Sequence, residues 1–192
     1  MGELKLDQHY TISEYLDLEQ RFNSKYEYFN GKLYAMSEGT IYHGMLISNT
    51  LYAIRSALAI KKKNCFTFSS DVKVSIPSAT SYLYPDVFVV CNAIKRDDQL
   101  EEAITNPILI IEVLSKSTQS YDQTKKFRLY RAIPTFKEYV LIDQEQATVE
   151  VFYKESESNW KIATIPRLES EVHLQSLGIR LKMADLYQGL EF

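Results

Sequence analysis

Two carboxylates stand where an apolar strand should be buried. Glu112 interrupts the run Ile108–Leu114, and Asp86, behind Pro85, opens a stretch that continues with Val87, Phe88, Val89 and Val90. A lone ionised carboxylate in such a strand is costly and asks for a partner. Two of them on neighbouring strands repel each other, and the pKa of one rises. A divalent cation between them removes the conflict. Mg²⁺ (or Mn²⁺) suits an oxygen site of one or two carboxylates, keeping water and substrate phosphate as its remaining ligands. Such an ion activates water and stabilises charge on a phosphate. The metal candidates are therefore Asp86 and Glu112.

A third candidate follows on a predicted helix. Asp122, Lys126 and Tyr130 recur four residues apart and so share one helix face. Leu129 and Ile133 flank Lys126, and that apolar stripe should face the sheet, bringing the ammonium towards Glu112. There it positions an attacking water or stabilises charge on a phosphate. Lys125 is turned about 100° away and is expected in solvent. Each residue also has a plainer reading. Asp86 caps a turn, Glu112 and Lys126 form a structural ion bridge without metal, Glu27 faces solvent on a hairpin, and His43 merely sits in the first turn of a helix. Asp71, in a chain kink, is a weaker carboxylate still.

The elements that must position these residues are legible in order. Thr11 and Glu14 have capping-box spacing ahead of a short amphipathic helix. KYEYFNGKLYAM alternates around Asn30-Gly31, a hairpin signal, with Glu27 on its first strand. Ile41–Ala59 keeps helical spacing through Ile47, Leu51, Ile54 and Leu58, with His43 in its first turn. Cys65–Ile76 reads as a strand bent near Ser69-Ser70, and Tyr84–Val90 as the next. Asn92–Asn106 is a charged connection with a helical turn or two. Asn106–Asp143 is strand–helix–strand, which implies a parallel pair. ATVEVFYK and WKIATIP form a hairpin, and the tail holds an edge strand and a short helix. The expectation is one α/β (α+β) domain over 1–192, with a mixed sheet flanked by helices.

Composition narrows the function classes. The 22 basic and 25 acidic side chains leave a net charge of −3, which argues against a general nucleic-acid coat protein. Basic runs at Lys61–Lys63 and at Lys125, Lys126, Arg128 and Arg131 read mostly as solvated helix faces. No apolar stretch is long enough for a membrane span, and Met1–Gln20 lacks the apolar core of a signal peptide. Cys65 and Cys91 lack metal-type spacing and read as free buried thiols of a cytoplasmic protein.

Four motifs taken together resemble the Uma-type family of restriction-endonuclease-like proteins, within the PD-(D/E)XK nuclease superfamily. They are PDV at Pro85–Val87, EVLSKST at Glu112–Thr118, D-x-x-x-K-x-x-x-Y at Asp122–Tyr130 and EYVLID at Glu138–Asp143. YEYFNGKLYAMS followed by His43 is similar to the family's N-terminal signature, and the likeness runs from about Tyr26 to Leu181. It implies a restriction-endonuclease-like core with a central mixed four-stranded sheet, a Mg²⁺-dependent phosphodiesterase site and a nucleic-acid partner, with DNA the expected target. It makes Asp86 the PD aspartate, Glu112 the acidic member of the second half, and Glu27 an addition to the metal shell. His43 matches the family's helix-opening histidine. The superfamily's usual lysine two residues after the acidic member is absent, since Leu114 stands there, and Lys126 supplies it from the helix. Lys116, where proline is usual, puts a second lysine within reach. Asn30 replaces a common aspartate, and Val140 a common tryptophan.

The resemblance divides the chain into an N-terminal helix and hairpin (10–36), a nuclease core (41–143) and a C-terminal β extension (147–192). The leading expectation is a metal-dependent endonuclease. Its rival is a nuclease-fold binding or assembly protein without activity, favoured by the acidic net charge and by Leu114. A homodimer is expected, with the aromatic hairpin Tyr26–Tyr34 as its apolar contact surface.

Overall fold

The computed structural model describes residues 8–36, 39–115 and 119–192. In chain order its elements begin with α1 (Ile12–Phe22), β1 (Tyr26–Phe29), β2 (Lys32–Ala35) and α2 (Ile41–Ile60). Next come β3 (Cys65–Ser69), β4 (Lys73–Ile76), β5 (Ser81–Leu83), β6 (Val87–Cys91), β7 (Ala103–Ile104) and β8 (Leu109–Leu114). A helical segment follows, made of α3 (Gln119–Tyr121), a π-helical turn (Asp122–Lys126) and α4 (Phe127–Tyr130). The chain closes with β9 (Glu138–Asp143), β10 (Val149–Lys154), β11 (Trp160–Ile165), β12 (Glu171–Leu174), β13 (Ile179–Lys182) and α5 (Met183–Leu186).

The central sheet has six strands in the order β11-β10-β9-β8-β6-β3. Four consecutive strands at one side, β9, β8, β6 and β3, are the expected mixed core. The C-terminal hairpin β10–β11 extends them, because β10 pairs antiparallel with β9 through Val149–Tyr153. Within it β8 and β9 run parallel, joined by the helical segment, while β6 pairs antiparallel with both β8 and β3. A second sheet, β2-β1-β5-β4-β7, packs beside it.

One stretch that reads as a single strand passes from one sheet to the other, and a second is shorter than expected. Cys65–Ile76 divides into β3 in the central sheet and β4 in the second. The strand expected from Tyr84 starts only at Val87, after a break at Tyr84–Asp86. Pro85 has no N–H for a ladder and marks the switch. The Asn92–Asn106 connection contains no helical turn. Asp97 anchors it instead, accepting from Gln99 N and Leu100 N at 2.9 Å each and from Ser75 Oγ at 2.6 Å.

Local chemistry explains the element ends. Thr11 Oγ1 accepts from Glu14 N at 3.2 Å while Glu14 Oε2 accepts from Thr11 N at 2.7 Å, a reciprocal capping box. Asn30 and Gly31 both have positive φ, 43° and 86°, as a two-residue hairpin turn of this hand requires. Along β8 the side chains alternate. Leu109, Ile111 and Val113 face a core built with α2 and the C-terminal elements, while Ile110 and Leu114 face a second core with Leu129, Tyr130 and Tyr139. Glu112 shares the face of Ile110 and Leu114, so it is aimed at the helical segment.

Two expectations are corrected here. Cys65 and Cys91 are not free thiols. They sit directly opposite each other on β3 and β6, with Cα atoms 4.0 Å apart, and form a disulfide. They are 26 residues apart in sequence, and only strand register brings them together. The premise for a reducing compartment therefore falls away. The aromatic hairpin, in turn, is not an open contact surface. Tyr26 and Tyr28 are buried, and Tyr28 stacks within the chain on Tyr15 at 5.2 Å. Phe29 and Tyr34 lie under the Lys125 ammonium. Among the described residues no helix is long and apolar enough to cross a membrane.

Glu138 ties the C-terminal hairpin to the sheet. It is fully buried and accepts from Gln175 N at 2.9 Å, Ser176 N at 3.1 Å and Ser176 Oγ at 2.6 Å. Burial pushes its pKa above the ordinary 4.5, against the pull of these donors. The stability this group contributes is thus full below pH 4.5 and is lost as pH rises through the raised folded value. Glu138→Gln should remove that slope, so wild-type stability relative to the variant falls as pH rises from 4 to 8 in urea titrations. Glu138→Ala, which strands the three donors, should cost about 2–4 kcal/mol.

Candidate active site

Lys126 Nζ is the centre of the site. It lies 3.0 Å from Glu27 Oε1, 3.1 Å from Glu112 Oε1 and 3.2 Å from Asp122 Oδ1. Three carboxylates from three elements thus surround the ammonium, which donates a hydrogen bond to Glu112 Oε1. Glu27 comes from β1, Glu112 from β8 and Asp122 from the π-helical turn that also carries Lys126. All four residues are buried. Tyr130, one turn further on, donates to Glu112 Oε1 at 2.9 Å, and Tyr139 OH donates to the Asp122 carbonyl at 3.0 Å. The π-helical turn thus turns both Asp122 and Lys126 inward, a local distortion often found at functional sites.

Asp86 completes the group from the other side. Its backbone N–H donates to Glu112 Oε2 at 3.3 Å, and its Oδ2 accepts from Val113 N at 2.7 Å. Register explains both contacts. Val87 pairs with Ile111 across β6 and β8, so the residue before Val87 meets Glu112. His43 Nε2 lies 3.2 Å from the same Asp86 Oδ2. An ionised aspartate only accepts, so the imidazole proton is on Nε2. His43 reaches this point because the start of α2 is pinned beside the sheet. Thr40 caps the helix by accepting from His43 N at 3.1 Å and donates to Gln144 Oε1, beyond β9, at 2.8 Å.

These side chains line a cavity of about 310 Å³. Its carboxylates are Glu27, Asp86, Glu112 and Asp122; its cations among the described lining residues are Lys126 and, when protonated, His43. Burial, against the attraction of Lys126, holds Glu112 well above the ordinary carboxylate range, and Asp122, Asp86 and Glu27 add to the rise. Burial works to lower the Lys126 pKa too, but Glu112, Glu27 and Asp122 outweigh it and keep the ammonium charged. The hydrogen bond to Asp86 raises the His43 pKa, against its desolvation.

Residues 12–184 match the family described as "Putative restriction endonuclease" (Uma2). The chain belongs to the Uma2 family. Two relatives from Synechocystis sp. are similar over nearly their full length. The uncharacterized protein slr1290 is 33% identical over 181 residues, covering 93% of this chain and 92% of its own. The uncharacterized protein sll1609 is 33% identical over 169 residues, covering 88% and 94%. A crystal structure from Anabaena variabilis, described as a putative nuclease belonging to DUF820, superposes with a TM-score of 0.73. It is 19% identical and covers 93% of this chain and 97% of its own, so it shares the restriction-endonuclease-like α/β fold of this Uma2 member.

The structure brings together all five residues singled out from the sequence: Asp86, Glu112, Lys126, Glu27 and His43. Glu27 does not face solvent, because β1 pairs with β5 beside the Pro85 switch and turns it inward. Asp71 lies outside the group, in an exposed pair with Lys25 at 2.6 Å. Leu114 is buried in the apolar core rather than at the cavity, and Lys116 lies outside the described residues. Lys125 does not point into solvent as expected. The β1–β2 hairpin covers that side of the π-helical turn, and Lys125 Nζ donates to Tyr34 OH at 2.7 Å. Sequence reasoning missed the tyrosines of the cavity, Tyr34, Tyr84 and Tyr121. Tyr84 and Tyr121 adjoin the PD motif and Asp122, and that adjacency is the signal that could have found them.

Removing Lys126 strands three buried carboxylates. Lys126→Met should lower stability by about 3–5 kcal/mol, measured by urea unfolding. Adding Glu112→Gln should restore part of the loss, since the second change removes one stranded charge.

Proposed function

We propose that this Uma2-family chain is a metal-dependent nuclease that hydrolyses nucleic-acid phosphodiester bonds, with DNA as the expected substrate. One observation carries the reading: Asp86, just ahead of β6, and Glu112, on β8, are held side by side at the wall of an open cavity whose described lining has more carboxylates than counter-charges. The donor set suits a hard divalent cation. It is all oxygen, and Mg²⁺ needs only one or two carboxylates when water and phosphate complete its ligands. Among the described residues no three acidic, imidazole or thiol groups are arranged to hold a metal ion by themselves. A cation there also offsets the repulsion from Asp122, Asp86 and Glu27 that adds to the effect of burial on Glu112.

Asp86 and Glu112 would hold Mg²⁺ or Mn²⁺. When bound, the ion supplies positive charge against the phosphate oxygens and makes water easier to deprotonate. The chain's own residues do the rest. Val113 N–H and His43 Nε2–H fix the rotation of the Asp86 carboxylate through Oδ2. Tyr130 OH and Lys126 do the same for Glu112 through Oε1. Lys126 also places a fixed positive charge at the cavity wall, where charge develops on the phosphate. Preorganised groups of this kind contribute strongly to catalysis because they need no rearrangement as the reaction proceeds.

A second reading has an observation of its own. Three carboxylates already lie within 3.2 Å of Lys126 Nζ, which suits a structural counter-ion in a binding or assembly protein without activity. Two measurements separate the readings. Plasmid cleavage with Mg²⁺ or Mn²⁺ should be present in wild type and fall about 10²–10³-fold in Asp86→Asn. Calorimetric titration with Mn²⁺ should show binding to wild type that Asp86→Asn weakens. A folded protein that neither binds Mn²⁺ nor cleaves belongs to the second reading.

A further inference from the structure

Resting on the nuclease reading, we infer that the site takes an unpaired nucleotide, in single-stranded or locally opened nucleic acid, and holds it by stacking on tyrosine rather than by charge. The first observation is electrostatic. A duplex is gripped mainly through lysine and arginine contacts to its phosphates. Among the described residues lining the cavity the only lysine is Lys126, and carboxylates at 3.0, 3.1 and 3.2 Å occupy its donors. His43 is turned to Asp86. The lining is net acidic, and the whole chain carries −3. The walls of the site therefore offer a polyanionic duplex little attraction.

The second observation is aromatic. Tyr34, Tyr84 and Tyr121 line the same cavity. Tyr34 and Tyr121 form a pair with ring centroids 5.9 Å apart. The pair is braced, since the Lys125 ammonium sits 4.1 Å from the Tyr34 centroid and 5.4 Å from that of Tyr121. Rings already fixed lose little freedom when a base stacks on them. Stacking of bases on such rings is the usual means of holding single strands, and it requires a base out of its own stack. The volume, about 310 Å³, lies at the small end for a ligand site. That suits one nucleotide whose phosphate meets Asp86 and Glu112 while its base meets tyrosine.

Fluorescence anisotropy tests this with the full chain in Ca²⁺, using a labelled single-stranded 12-mer and a hairpin duplex of the same sequence. A 2-aminopurine in the single strand reports stacking directly. The single strand should bind at least tenfold more tightly than the duplex, with quenching of 2-aminopurine. Tyr34→Leu and Tyr121→Leu should each weaken single-strand binding roughly 5- to 150-fold, the range for losing one stacked base. Tyr34→Phe and Tyr121→Phe, which keep the rings, should retain it. Equal or tighter duplex binding, or leucine variants that keep their circular dichroism and bind the single strand as wild type does, overturns the inference. The nuclease reading fails separately. Single-strand binding with no cleavage under any metal sinks that reading and leaves the stacking pocket standing. Metal-dependent cleavage that favours duplex does the reverse, and no binding to either oligonucleotide overturns the pocket.

Discussion

A buried ammonium surrounded by carboxylates is the constraint on which the rest of this structure depends. Lys126 is the contact through which β1, β8 and the π-helical turn meet, because each supplies it with one oxygen. Charges taken out of water are costly, and their attraction offsets that cost only when geometry and hydrogen bonding are good. Here three carboxylates surround the ammonium, which donates to Glu112 Oε1, and Tyr130 adds a further bond to the same oxygen. The positions of β1 and the helical segment over the central sheet are therefore coupled. A shift of either would leave a charge buried without its partner.

The second constraint is the change of sheet at Pro85. The chain leaves the second sheet after Leu83 and enters the central sheet at Val87. The residue between proline and strand is thereby held at the rim, not inside the ladder. Asp86 sits there with its backbone N–H on Glu112 and its carboxylate on Val113 N–H. Two acids are thus fixed side by side, with Lys126 and a histidine as the counter-charges among the described residues of the cavity. A fold selected for stability alone would gain by replacing such a group with apolar residues of similar volume. Its retention in a cavity open to solvent is what makes the arrangement read as chemistry.

Much of this was legible in the chain. Glu112 in an apolar strand announced a partner, and the four-residue spacing of Asp122, Lys126 and Tyr130 named the helix face that supplies it. The capping box at Thr11 and the turn at Asn30-Gly31 formed as their residue types require, since those signals are local. The failures share a cause. The Cys65–Cys91 bond, the burial of the hairpin aromatics and the capture of Lys125 by Tyr34 all join residues far apart in sequence. The division of Cys65–Ile76, where one apparent strand serves two sheets, has the same origin. Periodicity shows that a stretch is extended, but not which neighbour it pairs with.

The sequence by itself determined the identities of the acids and the lysine, the elements that carry them and the parallel strand–helix–strand at the heart of the fold. These follow from spacing and from the cost of burying a charge, both of which act within one element. The tertiary structure alone decided that Glu27 turns inward, that His43 reaches Asp86 from the start of α2, and that three tyrosines line the same cavity. Those facts depend on strand register and on how two sheets pack. Such contacts are set by the chain's long-range closure and leave no periodic trace in the order of its residues.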